Sequence, residues 1–212
     1  MDNRVTRNVA LEVAFHEAII RQAYKDSVGV WTWSVGLTSA SGHRVERYID
    51  KPQTMEHCIG VFMWALHRYA DDVNKTFEGF DISEAQFAAA LSFHWNTGAI
   101  AHATWVKEFK LGHADKSKQS FMNWVTPPEI EERRKKERDL FFDGVWSGDG
   151  RMTEYTQLTP SHAPKWSSGK KVDVSKEIDA CIDPASPIVA SLPPKPAGGF
   201  FAALMSLFGG RK

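Results

Sequence analysis

Very little in this 212-residue chain points to a covalently stapled or metal-built protein. It has two cysteines, Cys58 and Cys181, far apart in sequence. Two thiols cannot make a disulfide framework or a cysteine-only zinc site, so both read as reduced and structural. Eight histidines are present but show no ligand spacing. His16-Glu17-Ala18-Ile19-Ile20 has isoleucine where an H-E-x-x-H zinc motif needs its second histidine. There is no G-x-S-x-G elbow and no Walker-type loop. Cysteine-based amidase chemistry would have only Cys58, beside apolar Ile59 and Val61. No cofactor and no metal are expected.

Net charge is also missing, since 26 basic residues meet 26 acidic ones. That balance excludes the broad basic footprint of a nucleic-acid binder. No stretch approaches the roughly 20 apolar residues of a membrane span. Met1 to Ile20 carries charges throughout and has no signal-peptide core. The expectation is a monomer that accumulates in the cytoplasm where it is made, unless something else releases it.

What is present suits a folded enzyme-sized domain. Hydrophobic residues make up 42% of the chain, enough for an ordinary core, and the eight tryptophans would serve either that core or sugar stacking. Composition changes near Gly150, beyond which seven of the ten prolines lie. The expected division is a folded domain over 1–148, an extended Pro-rich linker or appendage over 149–199, and a short apolar segment over 200–212. In that last segment Phe200, Phe201, Leu204, Leu207 and Phe208 share a helical stripe, followed by Arg211 and Lys212. Weak contact with an anionic membrane surface and packing back onto the domain are equal alternatives for it.

Periodicity predicts a helix over 6–23, where Val9, Val13, Ile20 and Tyr24 recur at helical spacing without a breaker. Val28–Val35 and Val45–Ile49 read as strands of a small antiparallel sheet. Helices are predicted over Met55–Asn74, Ser83–Trp95, Ala99–Leu111 and Lys116–Trp124. A further helix follows Thr126-Pro127-Pro128-Glu129, with Thr126 as its N-cap.

Cutting a glycosidic bond takes two carboxyl groups in contrasting surroundings, one to protonate the leaving oxygen and one to activate water. Glu17, late in the first predicted helix and sharing a side with Val13, Ile20 and Tyr24, is one candidate. Asp26, in the polar turn Lys25-Asp26-Ser27, is the other. Thr32, between Trp31 and Trp33, could hold a water beside it. Spacing alone leaves plainer readings open: a helical ion pair between Glu17 and Arg21, and an ordinary turn role for Asp26.

The text around these residues is more specific. Glu17, eight residues, Asp26, five residues, Thr32 resembles the triad of phage lysozymes in glycoside hydrolase family 24, and Tyr24-Lys25-Asp26-Ser27-Val28-Gly29-Val30-Trp31-Thr32 resembles its Y-x-D-x-x-G-x-x-T segment. Ser92-Phe93-His94-Trp95-Asn96-Thr97-Gly98 resembles its S-F-x-x-N-x-G segment. Trp124 followed by Arg133-Arg134-Lys135-Lys136-Glu137-Arg138-Asp139-Leu140-Phe141 resembles its W…R-R-x-x-E-R-x-L-F ending. The likeness extends over about residues 6–144. It departs after Thr32, where Ser34-Val35-Gly36-Leu37-Thr38 replaces most of the usual G-x-G-H-T.

The resemblance implies an α+β lysozyme-like fold, a small β lobe and a helical lobe with a cleft between them. It implies a muramidase that hydrolyses the β-1,4 bond between N-acetylmuramic acid and N-acetylglucosamine in peptidoglycan, with inversion. Glu17 would be the acid, Asp26 the base, and Thr32 the residue that orients the water. Arg134 aligns best with the arginine that pairs with the catalytic glutamate, with Arg133 as the neighbouring candidate. Asn96 and Gly98 would shape the cleft or merely end a helix, and Trp31 and Trp33 would stack on sugars or pack in the core. An endolysin of this kind would need a separate holin to reach the periplasm and wall. The alternatives are a particle-borne enzyme or a non-catalytic wall-binding module on the same scaffold.

Overall fold

The computed structural model describes residues 4–182. The apolar segment over 200–212 and the stretch leading to it lie outside the described residues. Within them the fold is α+β: seven α-helices and one five-stranded mixed sheet of order β3-β2-β1-β4-β5. No helix among the described residues is long and apolar enough to cross a membrane.

Helix α1 (Arg7–Phe15) starts at Thr6, whose side chain accepts from the Val9 N–H, and stops at His16. The chain then extends as β1 (Ala18–Lys25). This differs from the single helix predicted over 6–23. Nothing in the sequence breaks that helix, but Ile19, Ile20 and Ala23 find more burial in the sheet. Glu17 therefore lies in the junction between α1 and β1, not on a helix face with Val13, Ile20 and Tyr24.

Strand β1 pairs antiparallel with β2 (Trp31–Ser34), which pairs with the short β3 (Leu37–Thr38). The β1–β2 register slips between Ile20 and Tyr24, a bulge in the middle of β1. Val45–Tyr48 is a 3-10 turn and not the strand predicted there. Its apolar residues face inward all the same: Val45 and Tyr48 are buried, and the Tyr48 ring stacks on Trp33 at 4.1 Å.

The helical lobe is closer to expectation. It comprises α2 (Met55–Thr76), α3 (Glu84–Thr97), α4 (Thr104–Lys110), α5 (Ala114–Phe121) and α6 (Glu131–Asp143). Thr54 caps α2, Ser83 and Gln86 form a capping box on α3, and Gly98 ends α3 with φ of +66°. Thr126 does not cap α6. The Thr126–Pro127 bond is cis, and a 3-10 turn (Pro128–Ile130) leads into the helix without a side-chain cap. Trp105, Phe93, Phe121 and Phe141 form a fully packed aromatic centre with edge-on contacts.

Of the stretch expected as a linker, the described residues 149–182 are built into the fold. Strand β4 (Arg151–Tyr155) joins the sheet parallel to β1, β5 (Gly169–Asp173) pairs with β4, and α7 (Ser175–Ile182) packs on α1 and α2. Met152, Val174 and Ile178 are fully buried in the common core. Their apolar side chains, spaced among polar neighbours, give the segment a face to bury, which its proline content conceals. Buried Glu12 of α1 ties the start of this segment down by accepting from the Ser147 and Gly148 N–H groups at 2.9 and 2.7 Å. A Cβ at position 148 would sit 2.9 Å from the Glu12 backbone, so only glycine allows the approach.

Candidate active site

Glu17 and Asp26 stand at the two ends of β1. The strand carries eight residues, which fully extended would separate its ends by roughly 25 Å. The register of β1 against β2 slips between Ile20 and Tyr24, so the strand is not regular along its length. Its disrupted pairing is compensated: the Arg21 carbonyl accepts from Trp33 Nε1 at 3.0 Å and from the Gln53 N–H at 2.8 Å. The Tyr24 phenol feels both acids. Burial, then the charges of Asp26 and Glu17, push its ionisation well above the ordinary tyrosine range.

Glu17 keeps 18% of its side chain exposed and is held by Arg133, whose Nη1 donates to Glu17 Oε1 at 2.6 Å. The same guanidinium donates from Nε to Glu137 Oε1 at 2.8 Å and from Nη2 to the Ser92 carbonyl at 3.1 Å. Glu137 is fully buried. Burial alone would raise its pKa, but Arg134 and Arg133 outweigh that and hold it below the usual carboxylate range.

Arg134, expected to face the glutamate, does not. It is wholly buried and donates to Glu137, to Asn96 Oδ1 at 2.5 Å and to the Trp124 carbonyl at 3.1 Å. Adjacent residues on a helix point about 100° apart, so only one of the two arginines can reach Glu17. The structure selects Arg133. Asn96 is correspondingly a partner of Arg134 inside the helical lobe.

Asp26 sits in a tight turn that uses its own side chain. Oδ1 accepts from the Val28 and Val30 N–H groups at 3.0 and 2.9 Å, while the Asp26 N–H donates to the Val30 carbonyl. Gly29 supplies the φ of +86° that the turn requires. The second oxygen, Oδ2, lies 3.5 Å from Thr32 Oγ1, and the Thr32 hydroxyl is 3.2 Å from the Val30 carbonyl. Thr32 faces the same side of the sheet as its register partner Tyr24.

Trp31 and Trp33 point to the opposite side. Trp33 is fully buried, stacked on Tyr48 and His43, so it is core and not a sugar platform. Trp31 is partly buried, with the Lys25 ammonium 5.3 Å from its ring centre. Where the usual G-x-G-H-T is replaced, Ser34 adopts φ of +53° and donates to the Cys58 carbonyl at 3.0 Å. Among the described residues no group of three or more histidine, cysteine or acidic side chains could hold a metal ion.

The phage lysozyme family model matches residues 14–137, which include Glu17, Asp26, Thr32, Asn96, Arg133 and Arg134. Among solved structures, the endolysin of Escherichia coli O157:H7 phage FAHEc1 superposes with a TM-score of 0.62 at 22% identity, covering 69% of this chain and 98% of that one. A point mutant of P22 lysozyme gives 0.56 at 23% identity, covering 66% and 98%. The muramidase domain of SpmX from Asticaccaulis excentricus gives 0.55 at 21% identity, covering 66% and 97%. No curated protein matches by sequence. With well over half its length matched by the family model, the chain belongs to the phage lysozyme family.

Proposed function

We propose that this protein is an endolysin that hydrolyses the β-1,4 bond between N-acetylmuramic acid and N-acetylglucosamine in peptidoglycan. The observation that carries the reading is the pair of acids at the two ends of one strand, Glu17 held by Arg133 and Asp26 beside the Thr32 hydroxyl. Glu17 is the proton donor to the leaving oxygen, positioned by the Arg133 guanidinium. Asp26 is the base. Its Oδ1 is committed to two backbone amides, which leaves Oδ2 for a water.

Thr32 completes that water site. Its hydroxyl has two acceptors, the Val30 carbonyl at 3.2 Å and Asp26 Oδ2 at 3.5 Å, and with the proton on the shorter bond the oxygen can accept. A water that donates one hydrogen to Asp26 Oδ2 and the other to Thr32 Oγ1 turns a lone pair towards the sugar. Attack by such a water on the face opposite the departing oxygen gives inversion.

The test is loss of turbidity of outer-membrane-permeabilised Gram-negative cells, with product analysis. Wild type should release new reducing ends and no anhydro sugar, and Glu17→Gln and Asp26→Asn should each lose at least about a hundredfold. Full activity in Glu17→Gln would overturn the assignment. Anhydro products would make the protein a lytic transglycosylase.

A further inference from the structure

The family match ends at residue 137, yet the chain continues through β4, a hairpin and β5. That added segment holds β1 at two places. Next to Glu17, β4 pairs with Ala18 and Ile19, and buried Glu154 accepts from Arg21 Nε at 2.8 Å. Next to Asp26, the Lys25 N–H donates to the His162 carbonyl at 2.9 Å. The strand pairing at Ala18 and Ile19 and the bond at Lys25 lie on either side of the register slip in β1.

The tip that reaches Lys25 is a built turn. Thr159 and Ala163 close it through an N–H to carbonyl bond of 2.8 Å, the His162 N–H donates to the Thr159 carbonyl at 2.9 Å, and Leu158 bridges Pro164 below. His162 occupies the position with φ of +63°, where glycine or asparagine would cost less. Its ring does what neither could. It stands edge-on to Trp31 at 5.2 Å, the residue opposite Lys25 in the sheet, and its Nε2 lies 3.2 Å from Asp50 Oδ1.

We infer that residues 151–173 are a splint across the irregular middle of β1 that sets the separation of Glu17 and Asp26, with His162 as its positioning residue. The inference rests on the muramidase reading for its catalytic consequence, but the brace itself is a property of the fold. His162 lies on the face of the sheet away from Thr32 and acts through the turn that presents Asp26, not on substrate.

His162→Gly is the informative variant, because glycine suits the backbone there and leaves the turn intact. Amide hydrogen exchange over residues 25–30 should accelerate by about tenfold while the melting temperature moves by no more than about 2 °C. On peptidoglycan, kcat should fall about tenfold with KM within about twofold, since small misplacement of a catalytic group is costly. Asp50→Asn should show a smaller change in the same direction. Unchanged exchange over 25–30 overturns the splint, as does accelerated exchange with kcat within twofold of an active wild type. Accelerated exchange in a protein whose wild type cuts no glycan leaves the splint standing and removes the muramidase reading instead.

Discussion

Arg133 Nη1 and Glu17 Oε1 are 2.6 Å apart, and the same guanidinium is anchored from behind by Glu137 and the Ser92 carbonyl. The planar fork of arginine makes all of these contacts from one group, and a lysine ammonium cannot. Arg133→Lys should therefore lower kcat/KM by about ten- to a hundredfold while leaving most of the stability, as judged by steady-state kinetics beside thermal melts.

Arg134 is the contrasting neighbour. Removing it leaves buried Glu137 with a weakened counter-charge and Asn96 Oδ1 without its donor. Breaking a buried pair from one side costs about 3–5 kcal/mol. Arg134→Met should lose stability of that order in urea unfolding, and the fraction that still folds should keep most of its activity. Equal stability in Arg133→Lys and Arg134→Met would contradict the division of roles.

Thr32 offers a finer test of the water site. Thr32→Ser keeps the oxygen and should retain activity within about tenfold, whereas Thr32→Val keeps the shape and should lose roughly a hundredfold. Thr32 is fully buried, so unfolding curves must accompany both. A valine variant as fast as wild type would remove the hydroxyl from the mechanism.

Glu12 links α1 to the start of the added segment. Burial works against its charge, but the His16 ring 3.4 Å away and the hydrogen bonds from Ser147 and Gly148 prevail and hold it below the ordinary carboxylate range. A carboxyl depressed on folding stabilises above the unfolded value of about 4.3 and loses that contribution as pH falls through the folded value. Glu12→Gln should cost about 1–3 kcal/mol at neutral pH. The penalty should shrink as pH falls below the unfolded value, measured as urea midpoints from neutral pH downward.

His43 works in the opposite window. Burial first, then Arg47 and His57, bring it from 6.5 down to about 4. Between these values the unfolded chain takes up the proton and the folded one does not, so stability falls as pH drops from 6.5 towards 4. Its Nε2 lies 3.0 Å from the Tyr48 hydroxyl, which in turn is 2.8 Å from His57 Nε2. His43→Gln should flatten the decline in melting temperature between pH 6.5 and 4.

The helices α2 and α3 were legible within a few residues because their caps and apolar faces agree. The break between α1 and β1 was not. Residues 16–24 contain no glycine or proline, and the bulge prevents the clean alternation that would mark a strand. Glu17, Asp26 and Thr32 stood out through their spacing, although the sequence placed Glu17 on the wrong kind of element. The choice between Arg133 and Arg134 depends on which helix face meets Ser92, a tertiary fact. Proline content hid β4 and β5, because Pro160 and Pro164 belong to a hairpin tip rather than to a linker.

The parallel pairing of β4 with β1 joins stretches of chain that leave the ribosome far apart in time; Arg21 and Glu154, which bond across it, are 133 residues apart in sequence. A nascent polypeptide can close its helical half early but must wait for this late strand before the lobe carrying both acids is whole. Contacts of such long range also slow folding. A fragment that stops short of residue 151 would thus leave the Glu17 end of β1 without its neighbouring strand.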